Sequence, residues 1–278
     1  RLVRYGQRIV LLHDGVEGYV EVLVRMMGDD GSLIPPGRFI PAAERYGMMP
    51  LIDRWVIDAV AARLKAASEA GLAAPKLNVN LSGLTLADPG LEGYIRNVFR
   101  ERGIEASRIG FEITESCAIA QLDMALDFIA FCQELGCDLA LDDFGSGLSS
   151  FAYLKRFKVQ SLKIDGVFVR NADTDLDDCA VIESMVRLAQ HKKLHTVAEF
   201  VVSEAVLQTV RRLGVEVDAA LHAASCNCCN PRSNGCSTGA RWRRISGPTA
   251  VVRPRIGSAA ARPSPWAWRP AARSGSWA

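Results

Sequence analysis

Seven polar residues stand at or near the ends of short apolar runs: Glu21, Asn80, Glu112, Asp142, Asp143, Lys163 and Glu199. Five are carboxylates, one is an amide and one an ammonium, so the set carries a formal charge of −4. Gathered in one confined mouth, such a set demands cations, because unpaired buried charge is too costly to persist. Two divalent ions would cancel it, and oxygen-rich ligation suits Mg²⁺ or Mn²⁺. A pair of such ions roughly 4 Å apart is a common device for in-line displacement at phosphorus. Asp142 and Asp143 are adjacent and on a straight strand would face opposite ways. They can converge only where the strand ends and turns, and Gly145 and Gly147 in "DDFGSG" supply such a turn. Asp142 is then suited to bridge both ions, with Asp143 serving one.

The elements that must position these residues follow from periodicity. Strand-like runs "EVLVR", "KLNVNLS", "RIGFEITE", "DLALDDF", "QSLKIDG", "HTVAEF" and "VEV" alternate with amphipathic helical stretches. Four of those stretches end in Gly71, Gly103, Gly136 and Gly214, as helix C-termini commonly do. Repeated strand–helix alternation over about 200 residues predicts a parallel sheet, either open and doubly wound or closed as a barrel. Seven strands with no glycine-rich phosphate turn after the first favour an α/β fold of the (β/α)8, TIM-like barrel type. The polar residues keep a common phase: Glu21 with Arg25, Asn78 with Asn80, Glu112 with Thr114, and Lys163 with Asp165. With a period of two, these point into the barrel while Val22, Val79, Ile113 and Ile164 pack on the helices. In such a barrel, catalytic residues gather at the C-terminal strand ends.

Composition marks a boundary. Of 278 residues, 49% are hydrophobic and 23% charged, as in ordinary globular proteins. No apolar run is long enough for a membrane span and no signal-peptide layout opens the chain. Its start close to a strand-like run points to a piece of a longer polypeptide. Of the 33 Lys and Arg, nine Arg fall after residue 218, where there is no Lys, Asp or Glu; the first 218 residues therefore hold 24 basic and 31 acidic, a net of −7. An acidic body makes direct nucleic-acid binding a poor expectation. We therefore read residues 1–218 as the folded domain and 219–278 as an aberrant, disordered tail rich in Arg, Pro, Trp and Cys. His13, His191 and His195 lie off the strand-end pattern and read as surface or capping residues. Trp55 reads as core and Arg38 as a solvated loop charge. Cys117, Cys132, Cys137 and Cys179 lack ligand spacing and read as reduced thiols of a cytoplasmic protein, or of the cytoplasmic part of a larger, even membrane-anchored, one.

The ordered motifs resemble those of the EAL-domain family of cyclic-di-GMP phosphodiesterases. They run Glu21-Val22-Leu23 with Arg25, "FIPAAE" at 39–44, "NLS" at 80–82, "EITE" at 112–115, "DDFGSGLSS" at 142–150, "KID" at 163–165 and "TVAEF" at 196–200. The resemblance implies a barrel that opens cyclic-di-GMP to linear pGpG. It implies that Glu21, Asn80, Glu112 and Asp142 hold one Mg²⁺ or Mn²⁺, and Asp142 with Asp143 a second. Glu199 would be a nearby ligand or supporting group, and Lys163 would orient or polarise the attacking water. Arg25 and Asp165 would meet substrate, Arg25 as a charge-assisted donor to phosphate. Glu115 would tether the loop carrying Phe144 and Gly145, which in the family couples dimerisation to metal binding. Homodimerisation and upstream sensory or GGDEF-type domains are further expectations of the family.

The pattern departs from the family after Leu213-Gly214. A Gln-Gly pair expected in the last strand falls on Ala219 and Ala220, and no closing helix follows. The abrupt change of vocabulary near residue 215 points to a shifted reading frame. Two readings of the body compete: a metal-dependent phosphodiesterase, or a cyclic-di-GMP receptor with impaired chemistry. A third places function in the tail, but Cys226, Cys228, Cys229 and Cys236 lack the paired spacing of a zinc site.

Overall fold

The computed structural model describes residues 2–12, 17–147 and 153–218. The tail, with Ala219, Ala220 and its four cysteines, lies outside the described residues, as does His13.

Two long strands open the fold. β1 (Leu2–Leu11) and β2 (Glu17–Met27) pair antiparallel, with a register shift between Ile9 and Val10. The two-residue β3 (Leu33–Ile34) pairs with the end of β2. From β2 the sheet continues in parallel through β4 (Lys76–Asn80), β5 (Ile109–Thr114), β6 (Asp138–Phe144), β7 (Ser161–Ile164), β8 (His195–Ala198) and β9 (Val217–Asp218). β9 pairs in turn with β1, Val10 opposite Asp218, and the backbone N–H of Leu12 donates to Glu216 O at 2.9 Å. The expected barrel therefore closes, but through an antiparallel strand. The eighth staff of the ring is the "LVRYGQRIVL" run, joined to β2 as a hairpin rather than by a helical crossover.

Helices α1 (Pro36–Arg45), α2 (Met49–Glu69), α3 (Gly83–Leu86), α4 (Leu91–Arg102), α5 (Glu115–Ala120), α6 (Leu122–Leu135), α7 (Gly166–Val169), α8 (Leu176–Lys192) and α9 (Glu204–Arg212) connect the strands. The four predicted terminal glycines take φ of 63 to 88°. Strand ends supply the next helix's cap: Ser82 accepts from Thr85 N, Thr114 from Cys117 N, and Asp165 from Val167 N. The core lies between strands and helices, where Val79, Phe111, Ile113, Leu141, Leu162 and Ile164 are fully buried against helix residues such as Ile57, Val60 and Ile95. Phe111 meets Phe128 edge-on at 5.5 Å. Two expectations are met in part. Trp55 packs against the core but is only half-buried, under the Arg4 guanidinium at 4.7 Å, because it lies on the flank of α2. Arg38 is exposed as expected, but in the first turns of α1 rather than in a loop, because the Pro-Pro step starts the helix there.

Candidate active site

The period-two phase carries Glu21 on β2, Asn80 on β4, Glu112 on β5, Asp142 on β6 and Lys163 on β7 toward the barrel axis at the C-terminal strand ends. Lys163 is the hub. Its Nζ lies 2.6 Å from Glu112 Oε2, 2.9 Å from Asp142 Oδ1, 2.9 Å from Glu199 Oε1 and 3.4 Å from Glu21 Oε2. The Asp142 contact is close enough for an ion pair but misaligned for a hydrogen bond, leaving that buried oxygen without a donor. Asn80 Nδ2 donates to Glu21 Oε1 at 2.8 Å and fixes the remaining oxygen of that carboxylate.

Burial alone would lower the Lys163 pKa, but Glu112, Glu21, Asp142 and Glu199 outweigh it and hold it well above the ordinary value. Lys163 is therefore a fixed cation and donor at neutral pH, not a base. One ammonium does not compensate the acids around it. Burial, opposed by Lys163 and reinforced by Glu21 and Asp142, raises Glu112 to about 7. Burial and neighbouring Asp142 raise Glu199 to about 8 against the pull of Lys163. Burial, then Asp142 and Asp165, raises Asp143 to about 6.

Asp142, Asp143 and Glu199 each offer an oxygen within 4.8 Å of the others. Their convergence depends on a break in β6, whose register with β7 shifts between Leu141 and Phe144. Asp143 itself takes φ of 52°, which swings its carboxylate to the side of Asp142. Asp tolerates this left-handed conformation better than most residues. Gly145 follows at φ 100°, where a Cβ would meet Met185 Cε at 2.1 Å, and its N–H donates to Glu115 Oε2 at 2.8 Å. Glu115 thus bonds the chain just after β6 at Gly145, and Phe144 beside it is buried in the core at 1% exposure. The residues that could hold cations fit that use. They are all oxygen donors, one buried oxygen lacks a donor, and the carboxylates are raised chiefly by burial and further by one another's charge.

Of the two expected substrate residues, one keeps its expected face and one does not. Arg25 lies on the Glu21 face of β2, nearer the strand's end, half-buried, with Nη1 donating to Val24 O at 2.8 Å. Asp165 was expected to point inward with Lys163. β7 ends at Ile164, so Asp165 instead turns to cap α7, with its charge still felt at Asp143.

Four further residues surround the site. Asn78, already read as inward-facing, donates from Nδ2 to Glu112 Oε1 at 2.8 Å, so both Glu112 oxygens are engaged. Gly110 makes that possible: it lies beside Asn78 in register, and a Cβ there would fall 2.3 Å from Asn78 Oδ1. Asp53, an acid on the apolar face of α2, accepts from Ser82 N at 2.9 Å and Thr85 Oγ1 at 2.6 Å, pinning the turn after Asn80. Its signal was a charge at a buried helical position, flanked by Ile52, Val56 and Ile57. Tyr19, two residues before Glu21, has a buried hydroxyl without a hydrogen-bond partner, and burial followed by nearby Glu112 raises its pKa well above the ordinary value.

A closed α/β barrel thus carries at its C-terminal strand ends a lysine-centred cluster of oxygen donors of the kind that could hold a hard cation. The chain belongs to the EAL-domain family, whose model matches residues 3–217. It is 36% identical over 198 residues to the cyclic di-GMP phosphodiesterase PdeF of Escherichia coli strain K12, covering 71% of this chain and 26% of that protein. It is also 36% identical to MucR of Pseudomonas aeruginosa, named a bifunctional diguanylate cyclase/cyclic di-GMP phosphodiesterase, covering 77% of this chain and 31% of MucR. The chain thus spans about a quarter to a third of these relatives. A solved complex of the MucR phosphodiesterase with cyclic-di-GMP superposes with a TM-score of 0.73 at 35% identity, over 78% of this chain and 88% of that one. Among the described residues no helix is long and apolar enough to cross a membrane.

Proposed function

We propose that this chain hydrolyses cyclic-di-GMP to linear pGpG with two Mg²⁺ or Mn²⁺ ions. The observation that carries the reading is the convergence of Asp142, Asp143 and Glu199 beside a buried Lys163 shared by four carboxylates. Family membership and the phosphodiesterase names of the relatives support it. Glu21, Asn80, Glu112 and Asp142 would hold one ion, and Asp142 with Asp143 the other, with Glu199 beside them. Such ions supply the positive charge that activates water and stabilises a leaving oxygen at phosphorus. Hydrolysis adds water across one phosphodiester: its oxygen joins phosphorus and its proton goes to the departing 3′ oxygen. Lys163, locked in its charged form, orients the acidic groups and donates toward the reacting oxygen. Arg25 meets a substrate phosphate.

The receptor reading is the alternative, favoured only by the alanines at 219 and 220. The test incubates purified chain with cyclic-di-GMP and Mg²⁺ or Mn²⁺ and measures both binding and linear product. Product that disappears in Glu21→Ala is expected, a loss of at least roughly 100-fold. Binding without product over hours would establish the receptor instead, and unchanged turnover in Glu21→Ala would refute the site. The bifunctional name of MucR supports a place for the domain beside a diguanylate cyclase (GGDEF-type) module; sensory modules, a cytoplasmic setting and homodimerisation are the family expectations that complete this reading.

A further inference from the structure

Immediately after Glu199 the backbone enters an unusual conformation. Phe200 takes φ of 53°, in a region that bulky L-residues rarely adopt. It shares that region with only Asp143 and Lys193 among the described non-glycine residues. The turn folds the aromatic ring back across the start of α7. A Cβ on Gly166 would lie 2.2 Å from Phe200 Cδ2, so only glycine at 166 lets the ring sit there. The Arg170 guanidinium lies 4.2 Å from the ring centroid. Held so firmly, Phe200 is still 46% exposed, and Val167, next to Gly166, and Val202, two residues on, are 56% and 43% exposed.

The ledge has a defined address. Gly166 follows Asp165, whose charge reaches Asp143, and Phe200 follows Glu199 of the Asp142–Asp143–Glu199 group. The apolar rim therefore borders the acidic cluster on the β7–β8 side of the barrel mouth. An exposed aromatic gains little from its own burial, and its backbone conformation is unfavourable. Strain of this kind gathers at ligand sites, where a partner repays it. A flat, electron-rich heterocycle carried by a phosphodiester fits both halves of this address: base on the ring, phosphate at the cations.

We propose that the Phe200–Arg170 stack is a platform for one purine base of the substrate, a specificity element beside the hydrolytic site. The proposal rests on the cyclic-di-GMP reading. A structural role alone is the competing account, and Phe200→Gly separates the two because glycine relieves the left-handed backbone. Wild type, Phe200→Gly and Phe200→Tyr are compared in the full chain with Mg²⁺ by melting temperature and by apparent KM, or by Kd where no product forms. A platform predicts that Phe200→Gly keeps or raises the melting temperature while weakening KM or Kd about 5- to 100-fold, the range for loss of one base–aromatic stack. It also predicts that kcat is little changed where product forms, and that Phe200→Tyr restores wild-type affinity. Wild-type affinity in Phe200→Gly overturns the platform alone, and so does weakened affinity that Phe200→Tyr fails to restore. A wild type that does not bind cyclic-di-GMP overturns the parent reading and the platform together.

Discussion

Glu112 shows how a fully buried carboxylate is kept in place. One oxygen takes the Lys163 ammonium and the other takes the Asn78 amide, whose space exists because residue 110 has no side chain. Gly110→Ala should force the Asn78 amide off Glu112 and lower stability by about 1–3 kcal/mol, as overpacking does. Asn78→Ala should cost a similar amount by leaving a buried carboxylate oxygen unpaired. In the double variant the new methyl fills space the amide has vacated, so the cost should fall short of the sum by about 0.5–3 kcal/mol. Urea denaturation of the four metal-free proteins measures this, and strictly additive costs would contradict the arrangement. At this scale the sequence was legible where phase alone decides, as for Glu21, Asn80 and Lys163. The Asn78–Gly110 fit was not, because it depends on the register between β4 and β5, which no local spacing encodes. Asp165 was misread for the opposite reason: one residue past a strand end, alternation no longer governs direction, and the cap of α7 takes the side chain.

At the scale of the element, β6 matters most, since its broken end turns two adjacent aspartates toward one point. The need for a turn was visible in "DDFGSG", but Asp143 itself makes it at φ 52°, with Gly145 completing it. That end is held from outside by Glu115 at the start of α5, through the bond from Gly145 N–H. Glu115→Ala removes the acceptor without touching any oxygen of the Asp142–Asp143–Glu199 group. Its predicted effect is a loss of Mn²⁺ affinity of about 10- to 100-fold, the usual result of removing support for metal ligands. Titration calorimetry reads it, with circular dichroism confirming an intact fold; undiminished affinity would show that β6 holds its own shape. The alternating strands and the glycine helix ends could be read along the chain because both are local patterns. The antiparallel direction of β1 could not. A strand-like run reads the same in either direction, and only the short return into β2 and the pairing with β9 settle its orientation.

Among the described residues of the barrel, lysines gather at one end and buried acids at the other. A cavity of about 550 Å³ at the N-terminal strand ends is lined by Lys155, Lys158, Lys192 and Lys193 with a single acid, Asp138, whereas the C-terminal ends hold the acidic cluster. The acidic end makes stability depend on pH and metal together. Glu112, Glu199 and Asp143 sit at about 7, 8 and 6, each raised chiefly by burial above ordinary values of 4.5, 4.5 and 3.8. In the unfolded chain these groups lose their protons near pH 4, while the folded chain retains them to higher pH. Between about pH 4 and 8 the native state therefore binds more protons, and stability falls as pH rises. The contribution is fully present below the unfolded pKa values and is lost as pH passes through 6 to 8. In EDTA the melting temperature should thus decline steadily from pH 5.5 to 8.5. Divalent cations reverse the sign, because they bind the deprotonated carboxylates and replace the missing positive charge. With Mg²⁺ or Mn²⁺ in excess, the stabilisation over EDTA should be small at pH 5.5 and grow toward pH 8.5. Thermal melts across that range, with and without metal, test both halves. A melting temperature that rises with pH in EDTA would contradict the uncompensated acidic cluster, and a metal increment independent of pH would contradict cation binding there.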